Sequence, residues 1–356
     1  MQGCTEFKAS GISSNVMNIN SVDDLLLARF RKDRLDIQSK FNIFETDLVR
    51  SLEEIKERAG FWLLHFESGK KLLYKPKDLS MDVAYEAFIQ VLGTKLVAAK
   101  SLNYEEYGWQ EYLSDKLPAT GCEDYYYSGG LLLGIAYKLG AHDLYVDNIR
   151  IKDGKPTPID AEMMLYPHWY GENVKSSVLS TCLLPEKYTD SQGRISDVGG
   201  LYFPKESMSN DKIIKGLIEG YKAAVQFMNT ISADEIYRCF DSAKVSVVIH
   251  SSTTYAKLRN ELLRNGEPTF RKIAEFILKR QDLPDDVVQY EIACLLEDKE
   301  PKFTMRTDST DLMCGNSIMV PNFSMASPIE NALKNMACSS QDSIQIKMIK
   351  ESLNKW

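Results

Sequence analysis

The sequence predicts an α+β protein of two lobes, with a small mixed α/β N-lobe followed by a larger, mostly helical C-lobe. Its 356 residues exceed a single domain of about 150 residues. Two stretches in the first half have the strand-like runs and turn residues that are typical of β-hairpins. Most of the chain after residue 211 has helical periodicity. We therefore expect a flexible lead-in at 1–20, the N-lobe at 21–120 and the C-lobe at 121–356.

Signals for capping, turns and alternation place the elements of the N-lobe. Ser21 opens a helix with capping-box-like spacing to Asp24, and helical periodicity continues loosely to Lys56. Residues 61–66 and 72–77 are runs rich in apolar and aromatic residues on either side of a Glu-Ser-Gly-Lys turn, which predicts a first hairpin. Residues 78–99 return to a helical pattern.

The C-lobe begins with a predicted helix at 129–139. A second hairpin is predicted at 148–160, because an alternating run leads into the turn pair Asp153-Gly154. The stretch 166–211 is rich in loop residues. Beyond it we expect mostly helices, with one strand-like run at 245–249.

Composition and charge exclude several classes of protein. With 44% hydrophobic and 26% charged residues, the chain is neither fibrous nor wholly disordered. Its formal charge of −7 lacks the surplus of Lys and Arg that nucleic-acid phosphates require, so no nucleic-acid partner is expected. No apolar run reaches about 18 residues, so we expect no transmembrane segment.

Cysteine usage and the N-terminal sequence predict a cytoplasmic location. Residues 1–20 have neither the basic region nor the apolar region of a secretory signal. The seven cysteines are dispersed without a Cys-x-x-Cys pair, which indicates reduced thiols rather than disulfides or a zinc site.

One stretch carries the strongest chemical signal. Asp143 and Asn148 have D-x-x-x-x-N spacing ahead of the second hairpin, and Asp160 follows that hairpin. This order is typical of a kinase active site. There, one carboxylate positions and deprotonates the acceptor hydroxyl, while hard oxygen ligands hold Mg²⁺ beside the nucleotide phosphates. We predict Asp143 as the catalytic base and Asn148 and Asp160 as metal ligands, with Glu162 as an additional ligand. The expected cofactors are ATP and Mg²⁺.

A lysine completes the predicted kinase-like site. Lys75 ends the first hairpin and precedes a helix, a place from which its ammonium can contact the α- and β-phosphates. Glu86 is the predicted ion-pair partner and a cofactor-binding residue, and Asp82 is the alternative within a helical turn.

Each motif alone occurs by chance in other proteins. The ordered series of lysine, helix, D-x-x-x-x-N, hairpin and aspartate is more specific, and the alternative is a globular protein without this chemistry.

Beyond these motifs, the sequence resembles the dehydratase domain of class II lanthipeptide synthetases, the LanM family, from about residue 21 to its end. Tyr74-Lys-Pro-Lys77 is similar to the family's Tyr-Lys-Pro-Arg, and residues 107–112 to its Tyr-Gly-Trp-x-Glu-Phe. Residues 129–148, 177–185 and 300–304 follow three further family segments. The resemblance is to this domain as a stand-alone protein, without the zinc-binding cyclase domain.

The resemblance implies a fold and an activity. LanM dehydratase domains have a lipid-kinase-like fold, phosphorylate Ser and Thr of a precursor peptide with ATP and Mg²⁺, and then eliminate phosphate. Lys75, Asp143, Asn148 and Asp160 fall on the family's kinase positions. The expected partners are therefore the leader and core of a precursor peptide, and a separate cyclase or lyase.

The elimination segment departs from the family pattern. Ser246 and His250 stand where the family has two arginines, and Ser252 stands where it has a threonine. Neither a serine nor a mostly neutral histidine replaces the fixed charge of a guanidinium. We therefore expect phosphate elimination to be impaired.

Two hypotheses about function remain open. The first is a LanM-like kinase, supported by the retained metal ligands, because clustered carboxylates repel each other without a cation. The second is a degenerate paralogue that binds a leader peptide or a partner synthetase. It is supported at residues 55–61, where the family's Asp-x-His element is missing, and by Tyr145 and Asp147, which replace a His and a Glu.

Two nearby motifs have alternative interpretations. His142 either assists the neighbouring Asp143 or is a loop histidine bonded to the backbone. Tyr125-Tyr126-Tyr127 either stack on adenine or a peptide, or pack within the fold.

Overall fold

The fold consists of a five-stranded sheet and a larger, mainly helical part, and the two meet at a pair of hairpins. A computed structural model describes residues 21–56, 58–115, 117, 123–169, 176–189, 195–203, 210–280, 283–338 and 342–354. Within these residues the protein is mixed α/β, with eleven α-helices and several antiparallel sheets. None of these helices is both long and apolar enough to cross a membrane. The predicted lead-in at 1–20 lies outside the described residues.

The N-terminal part is an antiparallel sheet with helices against it. In chain order its elements are α1 (Ser21–Lys32), α2 (Arg34–Phe41), β1 (Val49–Glu54), β2 (Trp62–Phe66), β3 (Lys71–Lys75), α3 (Ser80–Leu92), β4 (Ser101–Asn103) and β5 (Gly108–Glu111). The strand order is β1-β2-β3-β5-β4. Leu64 pairs with Leu72 across β2 and β3, and both pack with Ile37 and Trp109 in a small hydrophobic core.

This part corrects two sequence predictions. The helix does not continue to Lys56, because Asn42 adopts a left-handed conformation (φ 56°) that ends α2, and β1 follows. The helix predicted at 78–99 ends at Leu92, because Gly93 takes the same role (φ 57°). The hairpin of β2 and β3 is confirmed. Strands β4 and β5 were missed, because three or four residues are too short to show alternation.

The C-terminal part is mainly helical. After α4 (Glu123–Leu139) come a 3₁₀ turn (Val146–Asn148), β6 (Ile149–Lys152), β7 (Lys155–Pro158), β8 (Lys187–Thr189), β9 (Ile195–Asp197), α5 (Asn210–Met228), α6 (Ala233–Phe240), β10 (Lys244–Val247), α7 (Ser252–Asn265), α8 (Glu267–Leu278), α9 (Asp285–Leu296), β11 (Phe303–Arg306), β12 (Leu312–Cys314), β13 (Ser317–Val320), α10 (Pro328–Ala337) and α11 (Asp342–Asn354).

The second hairpin, β6 and β7, is confirmed. Asp153 and Gly154 both have positive φ (51° and 74°), as a two-residue hairpin turn requires. The strand-like run at 245–249 overlaps β10, which is the edge strand of a four-stranded sheet in the order β10-β11-β12-β13. The prediction of helices where β11 to β13 lie is wrong. These strands are short, and β11 pairs with a strand about 60 residues earlier, which local periodicity does not reveal.

The large core depends on a close approach of α4 and α5. A Cβ at Gly130 would lie 2.1 Å from the Leu217 carbonyl oxygen, and one at Gly220 would lie 2.0 Å from that of Tyr127. Only glycine permits these backbone contacts. Tyr125 and Tyr126 are buried at the start of α4, so for these two the packing interpretation is confirmed.

We predict that Gly220→Ala strongly destabilises the protein, whereas Gly216→Ala does not. The added methyl at 220 meets backbone, and overpacking of this kind costs about 1–3 kcal/mol or more. One helical turn earlier, the methyl at 216 meets Tyr126 Cβ at an ordinary 3.4 Å, and alanine favours the helix. Urea unfolding of the two variants checks this, and equal stabilities would contradict the close approach.

Candidate functional site

Lys75 lies at the end of β3, buried beneath the cluster of predicted site residues. Its side chain is only 1% exposed, and its ammonium donates a hydrogen bond to the Ile159 carbonyl oxygen. Burial lowers the pKa of Lys75, while the carboxylates of Asp82 and Asp160 act in the opposite direction. The β2–β3 hairpin therefore brings Lys75 next to Asp160, as the kinase-like arrangement requires.

The structure gives Glu86 a different partner from the one the sequence predicts. Glu86 Oε1 lies 2.9 Å from Lys40 Nζ, and Glu86 Oε2 accepts a hydrogen bond from the Ser101 amide. The predicted pair with Lys75 is wrong, because Glu86 is oriented toward α2 and β4. The alternative, Asp82, faces Lys75, and burial raises the pKa of its carboxyl despite that lysine.

The D-x-x-x-x-N stretch folds into a compact loop around the 3₁₀ turn. Asn148 Nδ2 donates to the Asp143 carbonyl oxygen at 2.7 Å and to its Oδ2 at 3.1 Å. Asp143 adopts a left-handed conformation (φ 60°). Burial, followed by the negative charges of Asp160 and Glu162, raises the pKa of Asp143 to about 6. A carboxylate with a pKa in this range suits a general base.

Two cations from the N-terminal part hold the predicted metal ligands. Arg58 Nη2 donates to Asn148 Oδ1 at 2.7 Å, and its Nη1 donates to Asp160 Oδ2 at 3.0 Å. Lys77 Nζ donates to Asp160 Oδ1 at 2.7 Å and to Glu162 Oε2 at 2.6 Å. The oxygens of Asn148, Asp160 and Glu162 therefore converge, as predicted for a metal site.

The charges of this cluster stabilise one another. Although burial acts to raise it, Lys77, Lys75 and Arg58 hold the pKa of Asp160 below its ordinary value. Likewise, burial acts to lower the pKa of Lys77, but Asp160 and Glu162 raise it above its ordinary value. Asp160 is thus ionised and Lys77 protonated at neutral pH.

The side-chain oxygens of Asn148, Asp160 and Glu162 are of the chemical type that fits a magnesium ion. Asn148 Oδ1 and Asp160 Oδ2 both contact one guanidinium, through two different nitrogens, so a single cation spans these two oxygens. Hard oxygens are the ligands that Mg²⁺ prefers, and one or two protein carboxylates usually suffice, with phosphates and waters as the rest. In the described part of the chain, no three His, Cys, Asp or Glu side chains group as a metal site, so the prediction depends on this amide and carboxylate set.

A cavity of about 1140 Å³ opens beside the cluster. Lys77, Asp143 and Glu162 form one part of its wall. The predicted elimination positions Ser246, His250 and Ser252 also line it. Asn148 and Asp160 bond to Asp143 and Lys77 of this wall but, like Lys75, do not line the cavity themselves. The cavity is large enough for a nucleotide-sized ligand, and it brings residues from the two predicted functional segments together.

His250 contacts the buried carboxylate of Glu291, a residue that the sequence motifs did not identify. Its Nδ1 lies 2.9 Å from Glu291 Oε1, and the Tyr255 hydroxyl donates to the same oxygen. Glu291 is fully buried on α9, where it is the charged member of an otherwise apolar face with Val287, Val288, Ile292 and Leu295. A carboxylate at such a core position is the signal that could have identified it.

The other two elimination positions have polar contacts of their own. The Ser246 amide donates to the Glu162 carbonyl oxygen at 2.8 Å, which joins β10 to the candidate metal ligand. Ser252 Oγ donates to Glu300 Oε1 at 3.0 Å. No guanidinium is among the described residues that line the cavity. Sequence reasoning also missed Arg58 and Lys77 as partners of the acidic cluster.

His142 does not share a proton with Asp143. Its Nδ1 faces the Gly140 carbonyl oxygen at 3.1 Å, and burial lowers its pKa to about 4. The interpretation as a loop histidine bonded to the backbone is therefore confirmed.

Comparison with known families agrees with the resemblance seen in the motifs. Residues 12–215, more than half of the chain, match the family described as Domain of unknown function (DUF4135). The chain belongs to this family.

A curated relative supports the link to lanthipeptide synthetases. Over 166 residues the chain is 33% identical to the "Lacticin 481/lactococcin biosynthesis protein LcnDR2" of Lactococcus lactis subsp. lactis. The match covers 38% of this chain and 18% of that protein. The resemblance to LanM-type lanthipeptide synthetases is thereby confirmed. The chain spans less than a fifth of the length of this relative.

We predict that Asp143→Asn stabilises the protein at neutral pH. A carboxyl with a raised pKa binds its proton more tightly when folded, so its contribution to stability is present at low pH and lost as the pH rises toward 6. Asparagine does not ionise, so the variant avoids this loss of stability. The backbone oxygen at 143 still accepts the hydrogen bond from Asn148 Nδ2. After a discount for partial exposure, we expect a gain of about 1 kcal/mol at pH 7.5 and almost none at about pH 4.

Urea unfolding at both pH values measures this difference. Asp147→Asn, at an exposed position in the same loop, is the control and should not show the pH-dependent gain. A gain for Asp143→Asn that is equal at both pH values would contradict the raised pKa.

Proposed function

We propose that the protein is an ATP- and Mg²⁺-dependent phosphotransferase that acts on Ser or Thr of a ribosomally synthesised peptide, in lanthipeptide-type biosynthesis. The observation that supports this most is the convergence of Lys75, Asp143, Asn148 and Asp160 in one cluster beside a large cavity. Lys75 comes from the first hairpin, whereas the other three residues come from the second hairpin and the loop just before it, which lie about 70 residues later in the sequence. We propose the cytoplasm as its location.

The arrangement of the cores supports a kinase-like fold with two lobes. A small core around Trp109 and Ile37 underlies the sheet that carries Lys75. A larger core, which includes Leu132 and Leu217, underlies the helices beside the Asp143 loop. The candidate site lies where the sheet of the first meets the hairpin of the second.

Each residue of the chain has a distinct role in this proposal. Asp143 would take the proton of the acceptor hydroxyl, and Asn148 Nδ2 holds its carboxylate in place. Lys75, predicted to contact the nucleotide phosphates, is instead buried against the Ile159 carbonyl oxygen and would balance the negative charge of Asp160. Asn148, Asp160 and Glu162 would hold the metal, which supplies charge neutralisation for the nucleotide phosphates when bound.

The peptide substrate is inferred from the relative and the cavity. The relative is named for lacticin 481/lactococcin biosynthesis, which suggests a precursor peptide with a leader and a core as partner. The cavity also holds Ser246, His250 and Ser252 in place of the family's arginines and threonine, so elimination of phosphate would be impaired. A separate lyase or cyclase would then complete the product.

A second candidate function is supported by one specific observation. Arg58 and Lys77 occupy the oxygens that a metal ion would need. A protein in which these ion pairs are permanent would bind a leader peptide or a partner synthetase without chemistry.

We predict that label passes from γ-labelled ATP to the precursor peptide encoded beside the gene, in the presence of Mg²⁺. Asp143→Asn should reduce the initial rate about 100-fold or more, as expected when a general base is removed. Lys75→Met should reduce it as well, while Asp147→Asn should leave it unchanged.

Transfer that survives Asp143→Asn would refute the assigned base. If no label is transferred, calorimetry separates the candidates. Tight peptide binding with weak Mg·ATP binding would support the non-catalytic protein.

A further inference from the structure

We propose that Arg58 is a resident cation of the candidate metal site and competes with a divalent cation for the oxygens of Asn148 and Asp160. This inference rests on the proposed function, because it assigns regulation to the same site. Its consequence is that the protein binds a divalent cation only when the guanidinium leaves those oxygens.

The geometry of the guanidinium supports competition. Two different nitrogens of Arg58 contact Asn148 Oδ1 and Asp160 Oδ2, at 2.7 Å and 3.0 Å. These are two of the oxygens predicted to bind the metal, so one planar cation already occupies them. The contact with Asp160 is charge-assisted, and such hydrogen bonds are about twice as strong as those between neutral groups.

Differences in burial indicate which partner moves. The side chain of Arg58 is 32% exposed, whereas that of Asp160 is 8% exposed. Asn148 is also buried. Leaving the cluster brings the guanidinium into water, where it is well solvated. The carboxylate has no comparable route, because its release would bury an unpaired charge.

The backbone of Arg58 is fixed while its side chain spans the gap to the hairpin. The Arg58 amide donates to the Ile55 carbonyl oxygen at 2.9 Å, and the Phe61 amide donates to the Arg58 carbonyl oxygen at 3.1 Å. The guanidinium also lies 5.7 Å from the centre of the Phe61 ring, and Phe61 lines the cavity. A rotation of the side chain alone therefore moves the charge from the oxygens toward the cavity.

Lys77 has a different position in the same cluster. It bridges Asp160 Oδ1 and Glu162 Oε2 and is 17% exposed. With Lys75 beneath it, Asp160 is surrounded by three positive charges. An added divalent cation would be repelled by all of them. Removal of either Arg58 or Lys77 lowers that repulsion and frees two oxygens, but Arg58 is the more exposed of the two, at 32% against 17%. Arg58 is therefore the cation that leaves the cluster more easily when a metal ion binds.

Manganese binding to the full chain tests the proposal, because Mn²⁺ reports its own free concentration by electron paramagnetic resonance. Arg58→Gln should tighten Mn²⁺ binding about tenfold or more. Arg58→Lys, which keeps the charge but loses the two-pronged contact, should give a smaller gain. Adding Asp160→Asn to Arg58→Gln should abolish the tight site.

Arg150→Gln is the matched control. The Arg150 guanidinium lies near the site but donates to the carbonyl oxygens of Val146, Asp147 and Ile149 rather than to the clustered side chains. Its removal takes away one charge and should change the Mn²⁺ affinity less than about twofold. If Arg58→Gln does not fold, the comparison of Arg58→Lys with wild type still decides.

Unchanged or weaker Mn²⁺ binding in both Arg58 variants would overturn the proposal, as would an equal gain in Arg150→Gln. The outcome is separable from that of the proposed function. If the protein transfers label but the Arg58 variants bind Mn²⁺ no more tightly than wild type, only the competition is refuted. A tighter Mn²⁺ site in a protein that transfers no label would support the competition and refute the phosphotransferase.

Discussion

The ion pairs of Asp160 are the interaction on which the candidate site depends. Asp160 follows the β6–β7 hairpin, while Lys75, Lys77 and Arg58 belong to the first sheet and its loops. A buried carboxylate without these cations would be unstable or protonated. The same contacts therefore connect the N-terminal sheet to the helical part and determine where Asp143 and the cavity lie relative to Lys75.

The cluster combines features of an enzyme with features of a protein whose ionic site is complete without a metal. Asp143 has the raised pKa and the supporting amide expected of a base. The oxygens beside it are neutralised by side chains of the protein itself. Both features follow from one physical fact, since carboxylates placed close together in a partly buried site need positive charge from some source.

Local signals predicted much of the fold and part of the site. The two hairpins and α4 were found because alternation, turn residues and helical periodicity act over a few positions. Strands β11 to β13 were missed because their pairing with β10 is a long-range contact. At the site, the order of Lys75, Asp143 and Asp160 was visible in the sequence. Arg58 and Glu291 were not identified, because neither belongs to a motif.

By itself, the sequence determined which chemical groups are present, the order in which they occur and the family to which the chain belongs. Only the tertiary structure decided which groups are partners. Glu86 pairs with Lys40 rather than Lys75, and Arg58 reaches Asn148 across 90 positions of the chain. The reason is that an ion pair depends on the distance between two side chains in space. Spacing along the chain limits that distance only within a single turn or hairpin.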